Sequence, residues 1–115
     1  MSVTNQTSIV RIEIFDPPMC CSSGLCGPSI DPALLEINDA LLQLKKAYDG
    51  TVTVERYSLN QHGMKFMQHA ELFMLIKTQN ISILPVSLVN GKIVKQKSYP
   101  SYAELTRWIS EEMLP

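Results

Sequence analysis

Three cysteines, Cys20, Cys21 and Cys26, fall within one seven-residue window of a 115-residue chain that has no other cysteine. An odd number of thiols cannot all pair internally, and in a reducing compartment such a cluster reads as metal binding or redox chemistry rather than a disulfide framework. A structural zinc site wants four cysteine or histidine ligands, so zinc here would need His62, His69, water or a second chain to complete the shell. A dithiol oxidoreductase wants Cys-x-x-Cys, which the run Met19-Cys20-Cys21-Ser22-Ser23-Gly24-Leu25-Cys26-Gly27 lacks. Three thiolates do suit arsenic(III) or antimony(III), soft ions that hold three sulfurs in a pyramid while a lone pair fills the fourth direction. Adjacent Cys20 and Cys21 can supply two of those sulfurs, and Gly24 lets the backbone reverse so that Cys26 supplies the third.

The elements around this cluster follow from periodicity and punctuation. Residues 9–15 are rich in β-branched side chains and partly alternate, which predicts a half-buried strand. Asp16-Pro17-Pro18 stops it, and with Gly24, Gly27 and Pro28 as further breakers, residues 16–30 read as a loop holding every cysteine. Asp31-Pro32 supplies an N-cap and first helical residue, and Leu34, Leu35, Leu41, Leu42, Leu44 and Tyr48 recur near helical spacing until Asp49-Gly50. If the loop folds back over this helix, the N-terminal dipole favours thiolates. A second strand is expected over 52–57, and one helix over about 64–79, with 70–76 apolar on most sides and therefore buried against a sheet or a partner. Leu84 to Val89, Asn90-Gly91 and Lys92 to Lys95 form a hairpin. Ser101-Tyr102-Ala103-Glu104 is a capping box, followed by Ala103, Leu105, Trp108, Ile109 and Met113 as the core face of a last helix.

The order is β-α-β-α-β-β-α. Strands joined by a helix are parallel neighbours through a right-handed crossover, whereas the hairpin makes the last two antiparallel. The fold class is therefore α/β and thioredoxin-like, a mixed four-stranded sheet with helices on both faces, read as a single domain over 1–115. In such folds the proline that heads the third strand has a cis bond and faces the loop after the first. Leu84-Pro85 is accordingly expected to be cis and to lie beside the cysteines.

Composition agrees with a packed, water-facing protein: 45% of the residues are hydrophobic and 18% charged, with a formal net charge of −1. That balance argues against disorder and gives no help to phosphate-backbone binding, so any DNA contact is expected to be weak. No apolar run approaches the roughly 20 residues that cross a bilayer, and the polar segment 1–8 is no secretory signal, so a cytosolic location is expected. Met64, Met67 and Met74 read as gap-filling core or interface, and His62 and His69 as surface residues. Lys92, Lys95 and Lys97 read as protection of an edge strand or a solvated face, with a docking surface for an acidic partner as the alternative.

The run Phe15-Asp16-Pro17-Pro18-Met19-Cys20-Cys21-Ser22-Ser23-Gly24-Leu25-Cys26-Gly27 resembles the signature of the ArsD family, arsenical-resistance metallochaperones also described as weak trans-acting repressors. The similarity extends through Glu55-Arg56-Tyr57-Ser58-Leu59-Asn60, Leu84-Pro85 and the helix from Tyr99-Pro100 to Trp108. The resemblance implies a cytosolic, often dimeric protein that takes arsenic(III) or antimony(III) on Cys20, Cys21 and Cys26 and hands it to an ArsA-type efflux ATPase. It also implies weak binding of operator DNA, no enzymatic turnover and no resident cofactor. Some members carry further vicinal cysteine pairs near the C-terminus, and none follows Cys26 here. The competing reading is a thioredoxin-like thiol oxidoreductase or redox sensor in which Cys20 or Cys21 attacks and another cysteine resolves.

Overall fold

In the computed structural model of the chain, residues 10–18, 32–48 and 50–113 are described. The elements are β1 (Val10–Asp16), α1 (Pro32–Ala47), β2 (Val52–Ser58), α2 (Gly63–Gln68), α3 (Ala70–Gln79), a 3-10 turn (Ile81–Ile83), β3 (Val86–Val89), β4 (Lys92–Gln96) and α4 (Tyr102–Met113). The strands form one sheet in the order β2-β1-β3-β4. β1 runs parallel to β2, from Val10 opposite Val52 to Asp16 opposite Ser58. β3 is antiparallel to β1, with Phe15 opposite Val86, and β4 is antiparallel to β3.

Because side chains alternate across a strand, β1 feeds two cores. Val10, Ile12 and Ile14 pack with Ile37, Ala40, Leu41 and Leu44 of α1 and Leu105, Trp108 and Ile109 of α4. Phe15, on the opposite face, packs with Tyr57, Phe66 of α2, Leu72 of α3, Ile83, Val86 and Leu88. Helices thus cover both faces, which is why central β1 is buried at nearly every position and shows less alternation than a half-buried strand. Phe66 is the apolar anchor of α2; its full burial contributes about 1.5–3 kcal/mol, and its ring meets Phe15 edge to face at 4.9 Å.

Several sequence expectations need correction. The helix expected over 64–79 is two helices, broken at His69, whose backbone is extended (φ −99°, ψ 100°). The His69 Nδ1 accepts from the Leu72 N–H and its Nε2 lies 3.0 Å from the Gly91 carbonyl, so the ring caps α3 and ties it to the hairpin. Burial expected over 70–76 is met fully at Leu72 alone; Met74 is exposed, as are Met64 and Met67, so the methionines do not fill the core. Leu35 and Leu42 of α1 and Ala103 of α4 are likewise exposed. Asp16, assigned to the loop from sequence, is the last residue of β1 and has no exposed surface.

The turn chemistry agrees. Asn90 and Gly91 have φ of 50° and 84°, as a tight hairpin turn between right-twisted strands requires. The capping box is complete: Ser101 Oγ accepts from the Glu104 N–H at 3.1 Å, and the Ser101 N–H donates to Glu104 Oε1 at 3.0 Å. Glu104 also pairs with Lys95 of edge strand β4 at 2.8 Å, while exposed Lys92 reaches Glu112 at 3.5 Å.

Candidate functional site

The parallel strands β1 and β2 end together at Asp16 and Ser58, and β3 begins beside them. In open α/β sheets the carboxyl edge of the parallel strands is where ligands sit, because the connecting segments leave and return there. The cysteine segment leaves from this edge. Cys20, Cys21 and Cys26 themselves lie outside the described residues, as does Asp31, the expected N-cap. The Leu84-Pro85 bond is cis, as expected, and buried Pro85 directly precedes Val86, the partner of Phe15. Its position relative to the cysteines falls outside the described residues.

What holds this edge together is a buried polar cluster. Both oxygens of the Asp16 carboxylate are engaged by one guanidinium: Arg56 Nη2 donates to Oδ1 at 2.9 Å and Nε donates to Oδ2 at 3.1 Å. The Tyr99 hydroxyl also donates to Oδ1. Arg56 Nη1 donates to Asn38 Oδ1 at 2.7 Å, and the guanidinium lies 5.7 Å from the centre of the Tyr99 ring. The cluster therefore joins β1, β2, α1 and the connector between β4 and α4. The Leu59 N–H donates to the Asp16 carbonyl at 3.1 Å, so the strand end is fixed through its backbone as well.

The electrostatics follow from burial and partners. Burial lowers the Arg56 value, but the hydrogen bonds and charges of Asp16 and Tyr99 outweigh it, so the guanidinium is held charged more firmly than an ordinary arginine. Burial pushes the Tyr99 phenol above its ordinary value, and its bond to anionic Asp16 pushes it the same way, with Arg56 partly opposing. Tyr99 is thus a donor throughout the physiological range. Tyr57 is pushed up to about 12, by burial first and then by its bond to Glu55.

Neither histidine is an idle ligand. His62 lies at the cysteine-bearing edge, but its Nδ1 accepts from the Ser58 N–H at 3.1 Å and its ring packs against Tyr57. His69 lies beside Gly91, its ring 6.4 Å from that of Phe15, with both ring nitrogens engaged. The zinc alternative thereby loses His69 as a fourth ligand. Among the described residues, no group of three His, Cys, Asp or Glu side chains converges as a metal site. Asn38 carries no signal in the sequence, and Arg56 and Tyr99 stand there only as parts of segments shared with the resembled family, with no role assigned; Asp16 stands out as a carboxylate closing a run of apolar strand residues.

Sheet order, two covered faces and the cis proline at the head of β3 define a thioredoxin-like fold. Chloroplastic thioredoxin z is similar in that fold alone: TM-score 0.53, 16% identity, covering 90% of this chain and 77% of that one. The narrower likeness is to arsenical-resistance proteins. The family model "Arsenical resistance operon protein ArsD" matches residues 9–114. The arsenical resistance operon trans-acting repressor ArsD of Escherichia coli is 38% identical over 95 residues, covering 83% of this chain and 77% of the relative. The crystal structure of the arsenical resistance operon trans-acting repressor of Bacteroides vulgatus ATCC 8482 superposes with a TM-score of 0.77 at 31% identity, covering 91% of this chain and 94% of that one. The chain belongs to the ArsD family. Those two relatives are described as repressors, not as enzymes. No helix among the described residues is long and apolar enough to cross a membrane.

Proposed function

We propose that the protein is a cytoplasmic arsenic(III) or antimony(III) carrier that binds the metalloid through Cys20, Cys21 and Cys26 and passes it to an ArsA-type efflux ATPase, with weak repression of its own operon as a second activity. The observation that supports this reading is a strand end locked by the buried Asp16 carboxylate at the edge of the sheet where ligands commonly sit, followed in the sequence by three thiols within ten residues. Family membership supports it, and so does the chemistry of the donor set. Arsenous acid and three thiols give one trithiolate and three waters, with no change in oxidation state. Delivery then proceeds by exchange: each acceptor thiolate that forms an arsenic–sulfur bond displaces one donor cysteine, which takes up a proton. The net charge of −1 fits DNA contacts that are secondary and easily lost in salt.

Arsenite titration with native mass measurement, on the parent and on Cys20→Ser, Cys21→Ser and Cys26→Ser under reducing conditions, tests the site and reports any homodimer. One metalloid per chain is expected for the parent, with weaker binding by every variant, because serine is of similar size but offers a hard, un-ionised oxygen. A variant that binds as tightly as the parent overturns the three-thiolate site in favour of a dithiol redox pair. Delivery is checked by comparing transfer to the ATPase in one compartment and across a dialysis membrane. Equal rates would reduce the protein to a buffer.

A further inference from the structure

Resting on the three-thiolate reading above, we infer that Arg56 is the positioning residue of that site: one guanidinium on β2 holds both chain arms that flank the cysteine segment. Asp16 closes β1 just ahead of that segment, and Asn38 lies in the second turn of α1, the helix that follows it. Arg56 binds both, through Nε and Nη2 to the Asp16 carboxylate at 3.1 and 2.9 Å and through Nη1 to Asn38 Oδ1 at 2.7 Å. The Tyr99 hydroxyl completes the carboxylate and keeps Asp16 from turning away.

Stability alone is a poor reason for this arrangement. Taking a carboxylate with no exposed surface and a guanidinium with a 12% exposed side chain out of water costs about as much as their attraction returns, and apolar packing would serve the fold as well. What the ion pair supplies, and apolar packing does not, is direction. A planar fork with five donors fixes the angle and separation of two acceptors at once. Setting the span between the ends of a segment narrows the conformations open to it, and ligands brought together beforehand bind more tightly because less freedom is lost on binding. The groups that orient metal ligands act in this way without touching the ion, and their loss typically weakens metal binding by about 10–100-fold.

The test is arsenite affinity, read from the near-ultraviolet arsenic–thiolate absorption, for the parent, Arg56→Lys, Asn38→Ala and a core control, Ile109→Val, each at a temperature where circular dichroism shows it folded. Lysine keeps the charge but cannot bridge two acceptors in a fixed fork, so a changed affinity reports geometry and not the loss of a positive field. Arg56→Lys is expected to bind arsenite about 10–100-fold more weakly. Asn38→Ala, which frees only the α1 arm, should lose affinity in the same direction by less, and Ile109→Val should lower the Tm while leaving affinity unchanged. If Arg56→Lys does not fold, Asn38→Ala decides. Variants that bind like the parent, or a control that loses affinity with its Tm in the same proportion as they do, overturn the positioning role. A parent that binds no arsenite overturns the three-thiolate reading and this role with it.

Discussion

Replacing Tyr99 by phenylalanine removes one hydroxyl and leaves the ring against Arg56, so it isolates that hydroxyl's part in the cluster. After the change Asp16 Oδ1 keeps its 2.9 Å bond from Arg56 Nη2, and Oδ2 keeps its 3.1 Å bond from Nε. The main loss is the hydrogen bond to a charged, buried acceptor, which costs about 1.5–3 kcal/mol. For a chain of this length that lowers Tm by about 6–12 °C, taking about 4 °C per kcal/mol. Asp16→Asn should cost more, about 3–5 kcal/mol, because it leaves the guanidinium buried without its counter-charge. The assay is urea unfolding followed by circular dichroism, repeated from neutral to strongly alkaline pH. The folded Tyr99 value lies above the ordinary 10, so in that range unfolding releases a proton. The hydroxyl's contribution is therefore complete below pH 10 and lost as pH rises beyond it, and the gap between parent and Tyr99→Phe should narrow only there. Tyr57 acts in the same sense in both proteins and cancels from the comparison. A Tyr99→Phe protein within about 0.5 kcal/mol of the parent at neutral pH would refute the claim that this hydroxyl holds Asp16.

Gly91→Ala should lower stability by about 1–2 kcal/mol, since its φ of 84° is costly for a residue with a Cβ. An added Cβ would meet nothing within 4 Å, so the urea midpoint should fall with the slope unchanged. Ser101→Ala should cost about 1 kcal/mol through loss of the acceptor for the Glu104 N–H. The variant keeps the Lys95 bond and the Ser101 backbone bond that hold the Glu104 carboxyl below its ordinary value, so its acid sensitivity should match the parent's: that stability is present above the ordinary carboxylate range and lost as pH falls through the folded value.

Much of the fold was legible because its signals are local. Asn90-Gly91 admits few conformations other than a tight turn, Ser101 to Glu104 satisfies two helix-end donors within four residues, and Gly50, with φ of 81°, follows a helix that runs on leucine spacing. The break at His69 was not legible. Histidine has no strong preference for a cap, and what places it there is a bond to Gly91, far away in sequence and brought near only by the hairpin. Leu35, Leu42 and Ala103 misled for the opposite reason: helical spacing reports which residues could share a face but not which face meets the sheet.

The cysteines announced themselves by type, whereas the cluster beside them did not. Arg56 stands in a strand whose neighbours two positions away are Val54 and Ser58, and such an arginine normally reads as a solvated cation. Its role depends on parallel register: Ile14 is the partner of Arg56, and Asp16, two residues on and therefore on the same face, comes within reach of the guanidinium. Tyr99 joins Asp16 across 83 residues and Asn38 joins Arg56 across 18, along different elements. A sequence names the donors that can hold a metalloid. On the proposal above, whether they are brought together before it arrives depends on long-range bonds such as those of Arg56, which local patterns in a sequence do not announce.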